Sequence, residues 1–140
     1  MLWRLRAGMT SVLLLTLLTG CQQEWHLAIT ALDGTTPRFC VTKQPACTGD
    51  GVWVSIFDVF EVTDTQTFKS GESVWWIEPA EKGAILREFV YGVTPPGYRQ
   101  VVPPKSLRPG RIYQVGLYWF RLKEEGGKLS YEVARMGQLK

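Results

Sequence analysis

The chain has 140 residues, of which 45% are hydrophobic and 12% aromatic, and it carries 16 basic and 13 acidic side chains for a net charge of +3. This composition excludes an intrinsically disordered chain, because disordered segments are poor in aromatic residues and rich in net charge. The basic residues form no cluster after residue 20, so the sequence lacks the electrostatic footprint of a nucleic-acid-binding protein.

The first 21 residues follow the order of a secretory signal. Arg4 and Arg6 give a positive start, and Met9 to Leu18 is an uncharged apolar run. The run is too short for a membrane span, which needs about 20 apolar residues. The ending Leu18-Thr19-Gly20-Cys21 resembles the lipobox of bacterial lipoproteins. The resemblance implies a signal peptide over 1–20 and a covalent lipid on Cys21; the alternative is an apolar stretch with a buried cysteine.

The residues after Cys21 predict where the mature protein is held. In Gram-negative lipoproteins an Asp at this position commonly retains the protein in the inner membrane, so Gln22 predicts the outer membrane, with the protein facing the periplasm. Residues 21–24 form a lipidated tether, and residues 25–140 form a single domain. Because three residues extend at most about 10 Å, we expect this domain to lie close to the bilayer.

Cys40 and Cys47 remain once Cys21 is assigned to the lipid, and an exported protein lies where disulfides persist. A bond between them would close a loop of eight residues, worth about 2.5 kcal/mol in loop entropy. Pro45 favours the turn that this loop needs. The alternatives are a metal site or a free reactive thiol. Since the single histidine, His26, leaves too few zinc ligands without carboxylates, we predict a disulfide and no metal.

The rest of the chain shows apolar residues with a period of two, interrupted by Gly, Pro and Asp turn residues. The Gly126-Gly127 pair is typical of a hairpin turn. This pattern predicts an all-β protein, an antiparallel β-sandwich of seven or eight strands. The predicted strands are Trp25 to Ala31, a strand around Phe39 to Val41, Val52 to Val62, Glu72 to Glu78, Ala84 to Tyr91, Tyr98 to Val102, Arg111 to Leu122 and Lys128 to Ala134.

A short motif, Leu107-x-Pro109-Gly110-x-x-Tyr113-x-Val115, resembles the entry to strand F in fibronectin type III and other immunoglobulin-like sandwiches. The resemblance implies a tyrosine corner, in which the Tyr113 hydroxyl bonds back to the backbone above a buried Leu107. If Tyr113 points inward, strand alternation predicts that Val115, Leu117 and Trp119 do so too, and that Tyr118 and Phe120 face outward.

Catalytic motifs are missing from the sequence. There is no Gly-rich phosphate loop, HExxH motif or GxSxG elbow. Nucleophilic catalysis needs a base, and His26 is expected on the polar side of its strand. Carboxylate pairs, Asp58 with Glu61 or Asp64 with Glu72, are expected to be solvated. We therefore predict that the protein is not an enzyme and holds no cofactor beyond the lipid on Cys21.

Aromatic residues give the strongest indication of a binding surface. Trp75 and Trp76 are neighbours in one predicted strand and therefore point to opposite faces. The Trp76 face is the more acidic, so Trp76 is the predicted exposed ring, joined by outward Tyr118 and Phe120. Exposed aromatics flanked by charge are typical of protein-binding surfaces. The alternatives are a bulge that shifts the register or a loop, such as Pro95 to Lys105, that covers the rings.

The segment from Tyr91 to Pro104 holds the densest run of prolines in the chain. It could act as a polyproline ligand for another module. Its close aromatic and apolar neighbours favour a stiff connection between strands.

Three features carry a further resemblance: the lipobox ending at Cys21, Arg38-Phe39-Cys40-Val41 with Cys47 downstream, and Tyr91-Gly92 through Pro96-Gly97 leading to Leu107 and Tyr113. Over its whole length the chain resembles small proteobacterial lipoproteins, some of them described as type VI secretion immunity proteins. The resemblance implies binding and neutralisation of a toxin in the periplasm. The alternatives are an assembly adaptor of an outer-membrane complex and, less favoured, a carbohydrate-binding module. The expected partners are a membrane and another protein.

Overall fold

The computed structural model describes residues 24–139, so the predicted signal peptide, the lipidation site Cys21 and Gln22 lie outside the described residues. The described part contains no helix long and apolar enough to span a bilayer. Its regular elements are strands: β1 (His26–Asp33), β2 (Thr36–Gln44), β3 (Thr48–Trp53), β4 (Phe57–Asp64), β5 (Lys69–Pro79), β6 (Ile85–Leu86), β7 (Glu88–Val90), β8 (Tyr98–Val102), β9 (Ile112–Val115), β10 (Tyr118–Glu125) and β11 (Lys128–Arg135).

The strands form two antiparallel sheets that pack as a sandwich. The smaller sheet has the order β1-β2-β3-β6, with β7 also paired to β2, and the larger has the order β11-β10-β9-β4-β5-β8. The arrangement β1-β2-β7 against β10-β9-β4 matches strands A-B-E and G-F-C of the immunoglobulin-like fold. The prediction of an antiparallel β-sandwich is confirmed.

The structure has eleven strands where seven or eight were predicted, because three of the predicted strands are interrupted. The segment Val52 to Val62 ends its first strand at Trp53 and restarts at Phe57 in the other sheet. Val54 is buried and Ile56 is exposed at this crossing. The segment from Val52 to Val62 is apolar at successive positions because the chain passes from one sheet to the other there. The segment Ala84 to Tyr91 is similarly divided into β6 and β7.

The third interruption overturns the predicted orientation of Tyr118 and Phe120. The chain turns at Gly116 and Leu117, and Val115 pairs with Tyr118 across a two-residue hairpin. Gly116 has φ +56°, the glycine position of a tight hairpin turn. Alternation restarts after such a turn, so Tyr118 and Phe120 point into the core, 7% and 0% exposed, while Leu117 is 53% exposed.

The core between the sheets is rich in aromatic rings. Phe57 lies at its centre, with its ring centroid 5.2 Å from that of Phe39 and 4.9 Å from that of Phe89. Trp75 from β5 and Phe120 from β10 complete the cluster, and both are fully buried. Tilted and edge-to-face ring pairs of this kind contribute about 0.5–1.5 kcal/mol each beyond the burial of their area. The packed core therefore fixes the orientation of the two sheets relative to each other.

Cys40 and Cys47 form a disulfide, as predicted, with their Cα atoms 5.7 Å apart. The bond closes the turn between β2 and β3. Ala46 and Cys47 both have positive φ, 58° and 57°, a conformation that side chains disfavour. The Thr48 hydroxyl donates a hydrogen bond to the carbonyl of Pro45 at 2.6 Å. The disulfide and this hydrogen bond together stabilise the positive φ angles of Ala46 and Cys47, which these two residues disfavour.

Candidate functional site

The outer face of the larger sheet is divided into a covered half and an open half. In the covered half, Trp119 is fully buried although it points away from the main core. The Phe68 ring lies 5.4 Å from the Trp119 ring, and Leu139 packs over the same cluster with Val62 and Ile112. Trp119, predicted to face the main core, is thus buried by the chain's own turn and C-terminal segment.

The open half is centred on Trp76. This residue pairs with Asp58 on one side and Val102 on the other, so the three side chains form a row on one face. Phe60 lies on the same face. It pairs across the strands with Gln114, and the Gln114 side chain accepts a hydrogen bond from Trp119 on the outer face of the sheet. All four side chains in the open half are half-buried. We call the surface formed by Asp58, Phe60, Trp76 and Val102 the Trp76 face.

The alternative in which a loop covers the Trp76 ring is not what the structure shows. Within the segment from Pro95 to Lys105, Tyr98–Val102 forms β8, which extends the sheet beside β5. The main-chain N–H of Lys105 donates to the carbonyl of Val74 at 2.8 Å, which ties the segment to the sheet edge. The proline-rich connection therefore borders the Trp76 face, and the Trp76 ring, predicted to be exposed, is half-buried there.

The indole N–H of Trp76 distinguishes it from other tryptophans of the fold. Trp75 donates to Gln100 at 3.2 Å, Trp119 to Gln114 at 2.9 Å, and Trp53 to the carbonyl of Lys82 at 3.1 Å. Among residues 24–139, Trp76 Nε1 is buried and has no acceptor. A buried donor without an acceptor costs about 1–3 kcal/mol. The ring is held on this face despite that cost.

The border of the Trp76 face is charged. Asp58 accepts a hydrogen bond from the Ser73 hydroxyl. Glu72 pairs with Lys105 at 3.1 Å, and Glu78 pairs with Arg99. An apolar centre with polar and charged surroundings is the usual composition of a protein-binding surface.

Tyr118 and Phe120 do not join Trp76. Both lie in the core between the sheets, so the sequence-based grouping of the three as one surface is wrong. Tyr118 contacts the Nδ1 atom of His26 through its hydroxyl at 3.3 Å, and Arg135 lies over its ring at 5.0 Å. The Nδ1 atom of the half-buried His26 therefore has the Tyr118 hydroxyl as its hydrogen-bond partner.

The residues of the tyrosine-corner motif lie where the motif places them. The Tyr113 hydroxyl accepts a hydrogen bond from the main-chain N–H of Arg108 at 2.8 Å. Leu107 and Tyr113 are buried, 4% and 2% exposed, and Gly110 after Pro109 has φ +83°. Burial raises the pKa of Tyr113, with the Arg108 hydrogen bond acting in the opposite direction. The corner fixes the start of β9, the neighbour of β4 in the larger sheet.

The carboxylates singled out in the sequence each have their own structural partner. Asp64 accepts hydrogen bonds from the main-chain N–H groups of Gln66 and Thr67, and these bonds lower its pKa. Glu61 pairs with Arg111 at 3.4 Å.

One further group with metal-binding atoms consists of Cys40, Cys47 and Glu88. Both of its thiols are joined in the disulfide. Only the Glu88 carboxylate therefore remains as an ordinary ligand for an ion.

A cleft of about 340 Å³ lies at the end of the sandwich that carries the β1–β2 turn, and it was not predicted. Tyr91, Pro104 and Leu107 line its apolar side, and Thr35 and Lys105 its polar side. The Tyr91 hydroxyl lies 2.6 Å from the carbonyl of Lys105 and 3.1 Å from that of Val74. Thr35 and Lys105 lie 70 positions apart in the sequence, so no local pattern brings the two sides of the cleft together.

Comparison of the chain with protein families, with curated proteins and with solved structures gave no match.

Proposed function

We propose that the mature protein is an outer-membrane lipoprotein, acylated on Cys21 and facing the periplasm, that binds another protein through the Trp76 face. The observation that carries this proposal is Trp76 itself. Its ring lies on an open sheet face while its indole N–H lacks an acceptor among the described residues. A partner that covers the ring and repositions it next to an acceptor would remove this cost.

Binding by this face requires no catalytic group. Tryptophan is the residue most enriched in binding hot spots, and hot spots are ringed by polar residues that exclude water. The face lies on paired strands rather than on a loop. A rigid surface loses little conformational freedom on binding and favours tight association. The function we propose is therefore that of a binding module rather than an enzyme.

The most specific form of the proposal is immunity, in which the protein neutralises a type VI secretion toxin that reaches the periplasm. The alternative is an adaptor that docks onto an outer-membrane assembly. Both uses rest on protein binding, and the identity of the partner separates them. A carbohydrate bound to Trp76 is the remaining, less favoured alternative.

The test uses the mature domain with Cys21→Ser as bait in envelope extract of the native strain, with secretion systems induced. Captured proteins are identified by mass spectrometry, purified and titrated against the bait by calorimetry. We expect one near-stoichiometric partner, with affinity reduced at least about tenfold in Trp76→Ala, the effect of a hot-spot residue.

The matched control is Trp53→Ala, which removes a 46% exposed tryptophan from the other sheet. This variant should bind as the parent does. A toxin as partner supports immunity, and an abundant envelope protein supports the adaptor. If no protein is captured, or if both variants bind equally well, the Trp76 face is not the binding site and the proposal fails.

A further inference from the structure

The first described residues are fixed at one end of the sandwich, beside the β9–β10 turn. The Trp25 ring packs against Phe57 and Tyr118, with centroid distances of 6.2 and 6.1 Å. It also lies against Gly116, where an added Cβ would come within 2.9 Å of the ring. The Glu24 carboxylate pairs with the guanidinium of Arg135. The point at which the chain leads back toward Cys21 is therefore held firmly at this end.

Three exposed apolar residues are chain neighbours of residues that contact Trp25 or Glu24 at this end. Leu117 is 53% exposed and Met136 is 39% exposed, and they are adjacent, because the Met136 N–H donates to the Leu117 carbonyl at 2.9 Å. Ile56, 54% exposed, directly precedes Phe57. Single exposed apolar residues are common, but a group of them marks a contact surface. We call Ile56, Leu117 and Met136 the apolar tip.

We propose that the apolar tip rests in the interfacial region of the lipid bilayer, so that the lipid on Cys21 and the tip contact the same membrane. This inference rests on the lipidation that forms part of the proposed function. Residues 21–23 precede Glu24, and three residues reach at most about 10 Å. An anchored chain therefore cannot place this end far from the lipid surface.

The tip and the lipid would act together. A single acyl chain or a few apolar side chains bind a membrane weakly, whereas two linked contacts reinforce each other. Trp25 adds an aromatic ring of the type found at membrane interfaces. Since β1 starts at the tip, its other end and the turn at Gly34 would point away from the bilayer. The lipid anchor would then set one orientation of the sandwich instead of a free rotation.

The experiment couples the mature chain, through the Cys21 thiol, to vesicles of phosphatidylcholine and phosphatidylglycerol that carry a maleimide lipid. Cys40 and Cys47 do not react, because they are joined in the disulfide. Hydrogen exchange, followed by mass spectrometry, is compared with that of the uncoupled protein. We expect exchange to become several-fold slower in peptides covering residues 116–118 and 136–138, and unchanged at residues 33–36.

Two variants make the result specific. Leu117→Asp with Met136→Asp should abolish the slower exchange while the core amides remain protected. Val93→Asp, at an exposed apolar residue outside the tip, should leave it intact. Equal exchange with and without coupling, or protection that persists in the double variant, would overturn the proposal. The coupling is chemical, so failure of acylation in cells, or of partner binding by Trp76, would be seen separately by mass spectrometry of the membrane fraction and by the capture experiment.

Discussion

Tyr113 accepts a hydrogen bond from the main-chain N–H of Arg108 at 2.8 Å, and this bond joins the start of β9 to the connection before it. Tyr113→Phe would leave the Arg108 N–H without its partner in a half-buried position. We expect a loss of about 1–2 kcal/mol in the free energy of unfolding, measured by urea denaturation. Tyr118→Phe is the control, with a smaller loss expected, because its partner His26 is half-buried and can turn to water. Equal losses would contradict the role of the corner.

Trp75 and Trp76 should differ sharply in their contribution to stability. Trp75 is fully buried in the core, so Trp75→Ala should cost about 3–5 kcal/mol. Trp76 is half-buried and its N–H is without an acceptor among the described residues, so Trp76→Ala should cost no more than about 1–2 kcal/mol. Urea denaturation of both variants checks this. A larger loss for Trp76→Ala would mean that the ring supports the fold rather than binding.

Gly116 should tolerate a side chain less well than Gly126, although their φ angles are nearly equal, +56° and +59°. Each change to Ala places a side chain in the left-handed region, at about 1–2 kcal/mol. Only at Gly116 would the new Cβ also meet the Trp25 ring, whereas nothing lies within 4 Å at Gly126. Thermal unfolding should therefore show the lower midpoint for Gly116→Ala. Matching midpoints would show that the Trp25 ring moves aside freely.

The disulfide should stabilise the domain by about 2.5 kcal/mol, since it closes a loop of eight residues. We expect the double variant Cys40→Ala, Cys47→Ala to unfold at a lower urea concentration by the equivalent amount. Alanine is preferred to serine because Cys40 is fully buried. Addition of a reductant to the parent should reproduce the effect, and it should leave the double variant unchanged. A parent that is insensitive to reduction would contradict the prediction.

Alkaline pH should destabilise the protein through its buried tyrosines. Burial raises the pKa values of Tyr91, Tyr98, Tyr113 and Tyr131 above the ordinary value of 10.0. The folded state therefore keeps these hydroxyls neutral while the unfolded chain ionises near pH 10. The stability they confer is intact below pH 10 and is lost as the pH rises above it. In an alkaline titration, tyrosinate absorbance should rise together with unfolding, and at a higher pH than for the chain unfolded in urea. Ionisation of these tyrosines near pH 10 while the circular dichroism stays native would contradict this.

Local patterns in the sequence were enough to predict the fold class and the disulfide between Cys40 and Cys47. The period of two and the regular turns are set by neighbouring residues, so they predicted an antiparallel sandwich without tertiary information. The pairing of Cys40 with Cys47 followed because only two cysteines remained after Cys21. The motif around Tyr113 is equally local, since its hydrogen bond spans five residues.

Orientation was where local patterns failed. Alternation holds only within one strand, and a two-residue turn at Gly116 reversed the assignment for Tyr118 and Phe120. A register shift between β4 and β5 likewise put Val74 into the core beside its neighbour Trp75. Such shifts depend on pairing between distant strands, which a single sequence does not display.

The amino-acid sequence by itself determined the β-sandwich and the outward position of Trp76 beside an inward Trp75, because both follow from neighbours in the chain. It also determined the disulfide, because only two cysteines follow Cys21. Only the tertiary structure decided that Trp119 is covered while Trp76 is open. That difference depends on Phe68 and Leu139, which fold back over one half of the sheet and leave the other half uncovered. Burial is set by what packs from elsewhere in the chain, so the uncovered Trp76 face was defined only when all the strands were in place.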